Sequence, residues 1–491
     1  MSTENDLIGK SSGGTGDDEG ALRRSLRQVT VAWLFGAVWM YIISSAAFTR
    51  YGELLGLSKF GFGLLAALPC AASLVQIPVG YFVERFGHHK TVFIVAGVMH
   101  RGTWVLVGLV PLLLPHPLWP AGLLAFVFLQ AVLGNVPVPV WYTWMGELVP
   151  ASIRGRYFSR RSMFGQFVGL VTIVIVGAVL DVADGFGPMV VTDTISIMMI
   201  AAGLIGTIDF LCFLPVIPPV AQRAGSNVAL KDIMLKPLRD RNFLKFVGFW
   251  ATMTLGIGLM GQFLWLYLLQ ELGFSKLKVN ILLLGVPLLV TAAGVWIWGR
   301  VIDRFGRRPV LVICGLMVSL GGIAWVFVTR DRLFPAYAVV LITTFAWPGI
   351  DLANFNILVG MCESLGNRKY RMGYIMIYSM IGAIAGFTSG IVGGTIAEQI
   401  GDWHGTILGW PMTYHRVLFT LSAGLRLLAL LWLIGLVDAR SNSTRETLKY
   451  MAGELVLNIQ QAAAVPFRVA GWVGRWTYKL NQKGPQDPKR S

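Results

Sequence analysis

The sequence predicts an all-α integral membrane protein whose twelve transmembrane helices form two pseudo-symmetric six-helix bundles. Three observations carry that expectation. The 491 residues are 55% hydrophobic and only 13% charged, against about 25% charged in a soluble chain. Segments 60–83, 246–270, 279–299 and 309–329 contain no Asp, Glu, Lys or Arg, and about 20 apolar residues carry a helix across the bilayer core. Third, several motifs recur about 217 positions apart.

The spans are expected at 29–49, 60–82, 91–111, 120–142, 162–181 and 191–216, then at 246–269, 279–299, 309–328, 333–358, 373–397 and 413–437. The charge-free stretch 102–146 is long enough for two spans, and Pro111, Pro115, Pro117 and Pro120 mark the break between them. Pro137 and Pro139 fall inside span four, which is still read as helix because backbone at lipid depth must bond internally or line a cavity. Residues 1–28 form a polar tail without a cleavable signal peptide, expected to be disordered. Residues 29–217 and 246–438 make the two bundles, and 218–245 is a basic linker. The tail 439–491 places Leu448, Met451, Leu455 and Ile459 at helical spacing beside Arg445 and Lys449, as an amphipathic helix lying on the inner leaflet would.

An even number of spans puts both termini on one side. Most of the 41 Lys and Arg lie in the tails and in the loops of that side. The positive-inside rule therefore places both termini in the cytoplasm, with the protein as a multi-pass component of the cell membrane. The net charge of +16 then reflects topology and contact with anionic lipid, not nucleic acid. Cys70, Cys212, Cys314 and Cys362 stand singly and form no CxxC pair. The six histidines form no H-E-x-x-H, no G-x-S-x-G occurs, and IGKSSGGTG at 8–16 lacks the leading glycine of a phosphate loop. Neither an enzyme nor a cofactor is expected.

The repeats come in three collinear pairs. GYFVERFGHHK at 80–90 is echoed by GRVIDRFGRRP at 299–309, LGLSKF at 55–60 by LGFSKL at 272–277, and Glu147 after span four by Glu363 after span ten. Two parallel halves with a site near the midplane describe a secondary transporter. Gly80, Gly87, Gly299 and Gly306 allow a tight turn and close helix approach. Glu84 and Asp303 can accept hydrogen bonds at a helix N-terminus of the opposite half. A carboxylate there contributes about 0.3–1 kcal/mol, and only while the cytoplasmic ends of the halves touch.

GRVIDRFGRR resembles, without a departure, the G-x-x-x-D-R-x-G-R-R signature of the major facilitator superfamily. Its first copy has Glu84 for Asp and His88 and His89 for the basic pair. The resemblance covers about residues 29–438. It implies a twelve-span fold and a latch role for Gly80, Glu84, Arg85, Gly299, Asp303 and Arg304. Arg307 and Arg308 read equally as simple topological anchors. ELVPASIRGRYFSRR at 147–161 resembles a loop of the superfamily's sugar porters, with Glu147 and Arg154 or Arg156 as a second latch. Their Q-Q-x-S-G and P-E-S-P-R patterns are absent, which weakens a sugar as substrate.

Charge within a span is costly and usually functional. Arg101, Asp209, Asp351 and Arg426 all fall roughly 12–17 Å from the cytoplasmic ends of their spans at 1.5 Å per residue. Each half thus holds one acid and one base, and pairing within each half is the simplest expectation. The resemblance implies that spans one, four, seven and ten line a central cavity. Asp351 is in such a span, just after Pro348 and Gly349, with Asn354 on the same face; Asn135, before Pro137 and Pro139, is its repeat partner. Trp39, Tyr41, Gln262 and Trp265 are candidate aromatic and polar walls. Gly382, Gly386, Gly390 and Gly394 on span eleven form a packing ridge. The expected function is secondary active transport of a small organic solute by alternating access, as a monomer, symport or antiport, with protons coupled through Asp351. The alternative is a sensor or scaffold of the same fold without net transport.

Overall fold

The computed structural model describes residues 16–76, 78–79, 88–150, 152–218, 230–330, 334–363, 370–407, 410–438 and 447. Among them, eleven helices are long and apolar enough to cross a membrane. In the first half these are α1 (Gly16–Ile43), α3 (His89–Gly108), α4 (His116–Leu148), α5 (Arg154–Asp184) and α6 (Pro188–Leu211). In the second they are α7 (Arg241–Glu271), α8 (Lys276–Phe305), α9 (Arg307–Phe327), α10 (Phe334–Glu363), α11 (Arg371–Ile400) and α12 (Tyr414–Leu431). The remaining expected span is α2 (Lys59–Ser73), shorter but apolar.

The predicted breaks are not symmetric. α4 is divided at Val136, where Pro137 opens a second segment, Pro137–Leu148. α10 instead runs as one helix through Pro348. α7 and α8 each contain a π-helical turn, Tyr267–Glu271 and Ile281–Gly285, a local widening that often accompanies functional sites. Gly306 joins α8 to α9 with φ 93°, a conformation that a Cβ would strain. A Cβ on Gly299 would meet nothing within 4 Å, so the close approach expected there is not formed.

Each half has its own core. Phe93, Trp144, Phe210 and Phe213 centre one cluster of the first half, and Phe243, Trp298, Cys314 and Tyr374 centre one in the second. The halves also pack on each other along α2 and α11. A Cβ on Gly63 would strike the Gly390 carbonyl and lie 2.5 Å from Gly394 Cα. Gly386 faces Cys70 in the same way, while Gly382 faces Trp250 of its own half. The glycine ridge of α11 therefore serves close helix contact, much of it between the halves.

Candidate functional site

The repeated LGLSK and LGFSK motifs build the junction between the halves. Gly56 and Gly273 both adopt positive φ, 77° and 64°. Each turn places a serine as helix N-cap: Ser58 accepts from the Gly61 N–H at 3.1 Å, and Ser275 from the Lys278 N–H at 3.4 Å. The next residues present free helix N–H groups to the opposite half. At α2, Glu398 accepts from the Phe60 N–H at 2.9 Å, and Lys59 pairs with Asp402 at 2.7 Å. At α8, Asp181 accepts from the N–H groups of Lys276 and Leu277 at 2.7 and 3.2 Å, and Lys276 pairs with Asp184. Asp181 and Glu398 stand 217 residues apart, as Lys59 and Lys276 do. The two contacts are duplicates of one another.

Other bonds reinforce this end. Buried Asn280 accepts from the Ala46 N–H at 2.7 Å and donates to the Ile173 carbonyl at 3.1 Å. Gln270 Nε2 lies 2.5 Å from Glu53 Oε1. The hydrogen bonds joining the halves among the described residues cluster here, at the end away from the termini.

Directly behind this closed end lies a cavity of about 570 Å³ between the halves. Its walls include Ser44, Trp104 and Gln130 from the first half and Gln262, Trp265 and Leu284 from the second. Gln262 and Trp265 were expected there; Trp104 and Gln130 were not. The Gln130 carbonyl is 2.7 Å from His100 Nδ1, which ties this wall to the buried charges of α3.

The other expected residues are placed differently. Trp39 lies under the Arg101 guanidinium, 3.3 Å from carbon to ring centroid, and Tyr41 fills the space beside Gly169. Neither lines the cavity, because both face packed helices of their own half. Asn135 accepts from Gln76 Nε2 and donates to the Ala131 carbonyl at 2.7 Å. On α10, Asp351 and Phe355 are exposed while Asn354 is buried. Asn354 thus turns off the shared face expected for it, and neither of its amide atoms has a partner among the described residues.

The two intramembrane pairings also part company. Arg101 and Asp209 form a buried ion pair at 3.0 Å. Asp351 and Arg426 do not meet: Arg426 is buried and bonds the Val318 carbonyl at 3.3 Å and Met260 sulfur at 3.6 Å. Equal depth along a helix does not fix which way a side chain faces.

At the terminal end, Glu147, Arg156 and Asp303 are exposed. Arg154 folds back onto the carbonyls of Gly146 and Val149 at 2.6 and 3.1 Å, not onto Glu147, because those carbonyls end α4 unpaired. Arg304 lies over the Phe305 ring at 5.5 Å. The N-terminus of α9 is capped from within its own half: the Arg307 N–H donates to Asp438 at 3.0 Å, and the Arg307 side chain approaches the same carboxylate at 3.9 Å. Asp438 was missed, lying seven residues beyond the end of α12 in sequence. Arg308 is half-buried. Gly80, Glu84, Arg85, Gly87 and the Glu363 side chain lie outside the described residues.

The chain matches the model of the Major Facilitator Superfamily over residues 29–387, and no curated protein sequence matches it. Among solved structures it resembles the nucleoside transporter NupG, with TM-score 0.66 and 11% identity over 84% of this chain and 100% of that one. A D-xylose-proton symporter gives TM-score 0.64 and 14% identity over 85% and 98%. A bacterial homolog of the human lysosomal transporter Spinster, inward-facing and unoccupied, gives 0.60 and 14% over 86% and 96%. At these identities the likeness is one of fold. Together with the family match, it establishes that the chain belongs to the Major Facilitator Superfamily, a family of non-enzymatic membrane transporters.

Proposed function

We propose that the protein is a secondary active transporter of a small organic solute. Its units are the two bundles 29–217 and 246–438, linked by 218–245, with cytoplasmic tails 1–28 and 439–491. The first tail is not disordered throughout as expected, because from Gly16 onward it is already the start of α1 and packs Leu26 into the core of the first half. It sits in the cell membrane, with both termini cytoplasmic as the basic-residue bias orients them. The observation that carries the reading is a 570 Å³ cavity between the halves behind a pair of duplicated latches. A cavity of that size takes a small organic molecule. The latches bond only while the two halves meet at that end, so their breaking and making fits alternating access.

In this reading the structure is the inward-facing state, with the far end sealed. Gln262, Gln130, Trp265 and Trp104 contact the solute. Asp303 and Glu84 close the cytoplasmic end in the outward-facing state. Asp351, exposed on a span expected to face the cavity, carries the coupling proton. Reconstitution into liposomes with an imposed pH gradient, scored with a panel of labelled solutes, is the test. Gradient-dependent accumulation of one solute class is expected. Absence of any protein-dependent flux from a folded, inserted chain would contradict the proposal.

A further inference from the structure

The duplication exposes a chemical mismatch between the halves. Shifting by 217 residues carries Asp209 onto Arg426 and Arg101 onto Val318. In the first half the acid and base neutralise each other at 3.0 Å. In the second half the cation has replaced the acid, and a valine stands where its partner would be. Arg426 is 5% exposed, its Nη1 and Nη2 reach only a carbonyl and a thioether, and its Nε has no partner. No carboxylate among the described residues forms an ion pair with it. Buried charges are ordinarily paired, because desolvation is otherwise uncompensated.

The guanidinium does not sit in solid packing. Arg426 lines a second cavity of about 370 Å³ whose wall also carries Thr291, Thr343, Thr344, Trp325 and Trp347. Leu264 and Leu283 line both this cavity and the central one, so the two adjoin. A buried arginine, threonines and two tryptophans in one wall together suit an aromatic or apolar molecule bearing an oxyanion.

We propose that Arg426 binds the anionic group, carboxylate or phosphate, of a ligand entering from the central cavity. The missing partner of the second half is supplied by the ligand. This rests on the transport reading in taking the ligand to be the transported solute, and it narrows that solute to an organic anion.

The test is calorimetric titration of the purified full-length protein in maltoside micelles, where no lipid phosphate competes. The probes are benzoate, phenyl phosphate and the neutral methyl benzoate. At least one anion should bind saturably, and the ester about tenfold more weakly or worse. Arg426→Gln should weaken anion binding about tenfold or more, and Arg426→Lys should retain part of it. Should Arg426→Gln fail to fold, Val318→Asp provides the second arm. It restores an internal carboxylate opposite Arg426 and should abolish anion binding while raising Tm. Competition by added phosphatidylglycerol would identify a lipid headgroup as the source of the oxyanion, whereas insensitivity to it would identify a soluble solute. Absence of anion binding, equal binding of the ester, or unchanged affinity in a folded Arg426→Gln or Val318→Asp protein would overturn the proposal. Binding is read without a membrane, so the two readings fail separately. Anion binding without flux contradicts transport alone, and flux of neutral solutes without anion binding contradicts the anion site alone.

Discussion

Asp351 and Asp209 show what a charge inside a span can mean. Asp209 is buried against Arg101, and the pair was legible because sign and depth matched. Asp351 is exposed on α10, without the partner that the same reasoning gave it. Depth follows from counting residues, but azimuth does not: in a span bounded by lipid on one side and protein on the other, both surroundings are apolar and leave no periodic signal. Gln130 and Trp104 escaped notice for the same reason, although a lone Gln in a charge-free span was a visible anomaly. The two aspartates predict different phenotypes. Asp351→Asn should leave the protein stable, retain solute exchange and lose accumulation against a gradient, since exchange moves no net proton. Asp209→Asn should instead destabilise the fold by about 3–5 kcal/mol, the cost of stranding a buried arginine, as read by thermal unfolding in detergent. Normal accumulation by Asp351→Asn would remove it from coupling.

Among the elements, the starts of α2 and α8 carry the mechanics. The LG-x-SK repeat was visible in the sequence as evidence of duplication, and the structure gives it a task. Its glycine makes the turn, its serine caps the helix, and its lysine and following N–H meet carboxylates of the other half. A carboxylate on a helix N-terminus was the chemistry expected of Asp303 and Glu84. The same chemistry operates at the opposite end, through Asp181 and Glu398, and no local motif marks those two acids. Asp402 adds a pH dependence. The hydrogen bond and charge of Lys59 hold its carboxyl below the usual carboxylate range. The closed end therefore gains stability that is present above the ordinary Asp pKa and lost as pH falls through the lowered value. Acidification below about pH 4 should favour opening of this end, observable as faster alkylation of a cysteine at Ser44 by a thiol reagent suited to low pH. Asp402→Asn should remove the dependence, and an unchanged pH profile in that variant would assign it elsewhere.

For the whole molecule, twelve spans, two halves and the signature loop between α8 and α9 were all readable, because lipid demands long apolar helices and duplication copies its motifs. The state of the molecule was not readable. Which end is shut depends on contacts between segments far apart in sequence, each worth about 1 kcal/mol. We propose that the two ends close alternately, the far end through Asp181 and Glu398 and the terminal end through Asp303. Double electron–electron resonance tests it most directly. In a background free of the four native cysteines, one spin-label pair at Leu113 and Trp403 spans the far end, and another at Ser152 and Met372 spans the terminal end. Asp181→Asn with Glu398→Gln should lengthen the first distance and shorten the second, and Asp303→Asn should do the reverse. Distances that stay fixed in all variants, or that lengthen together at both ends, would contradict it.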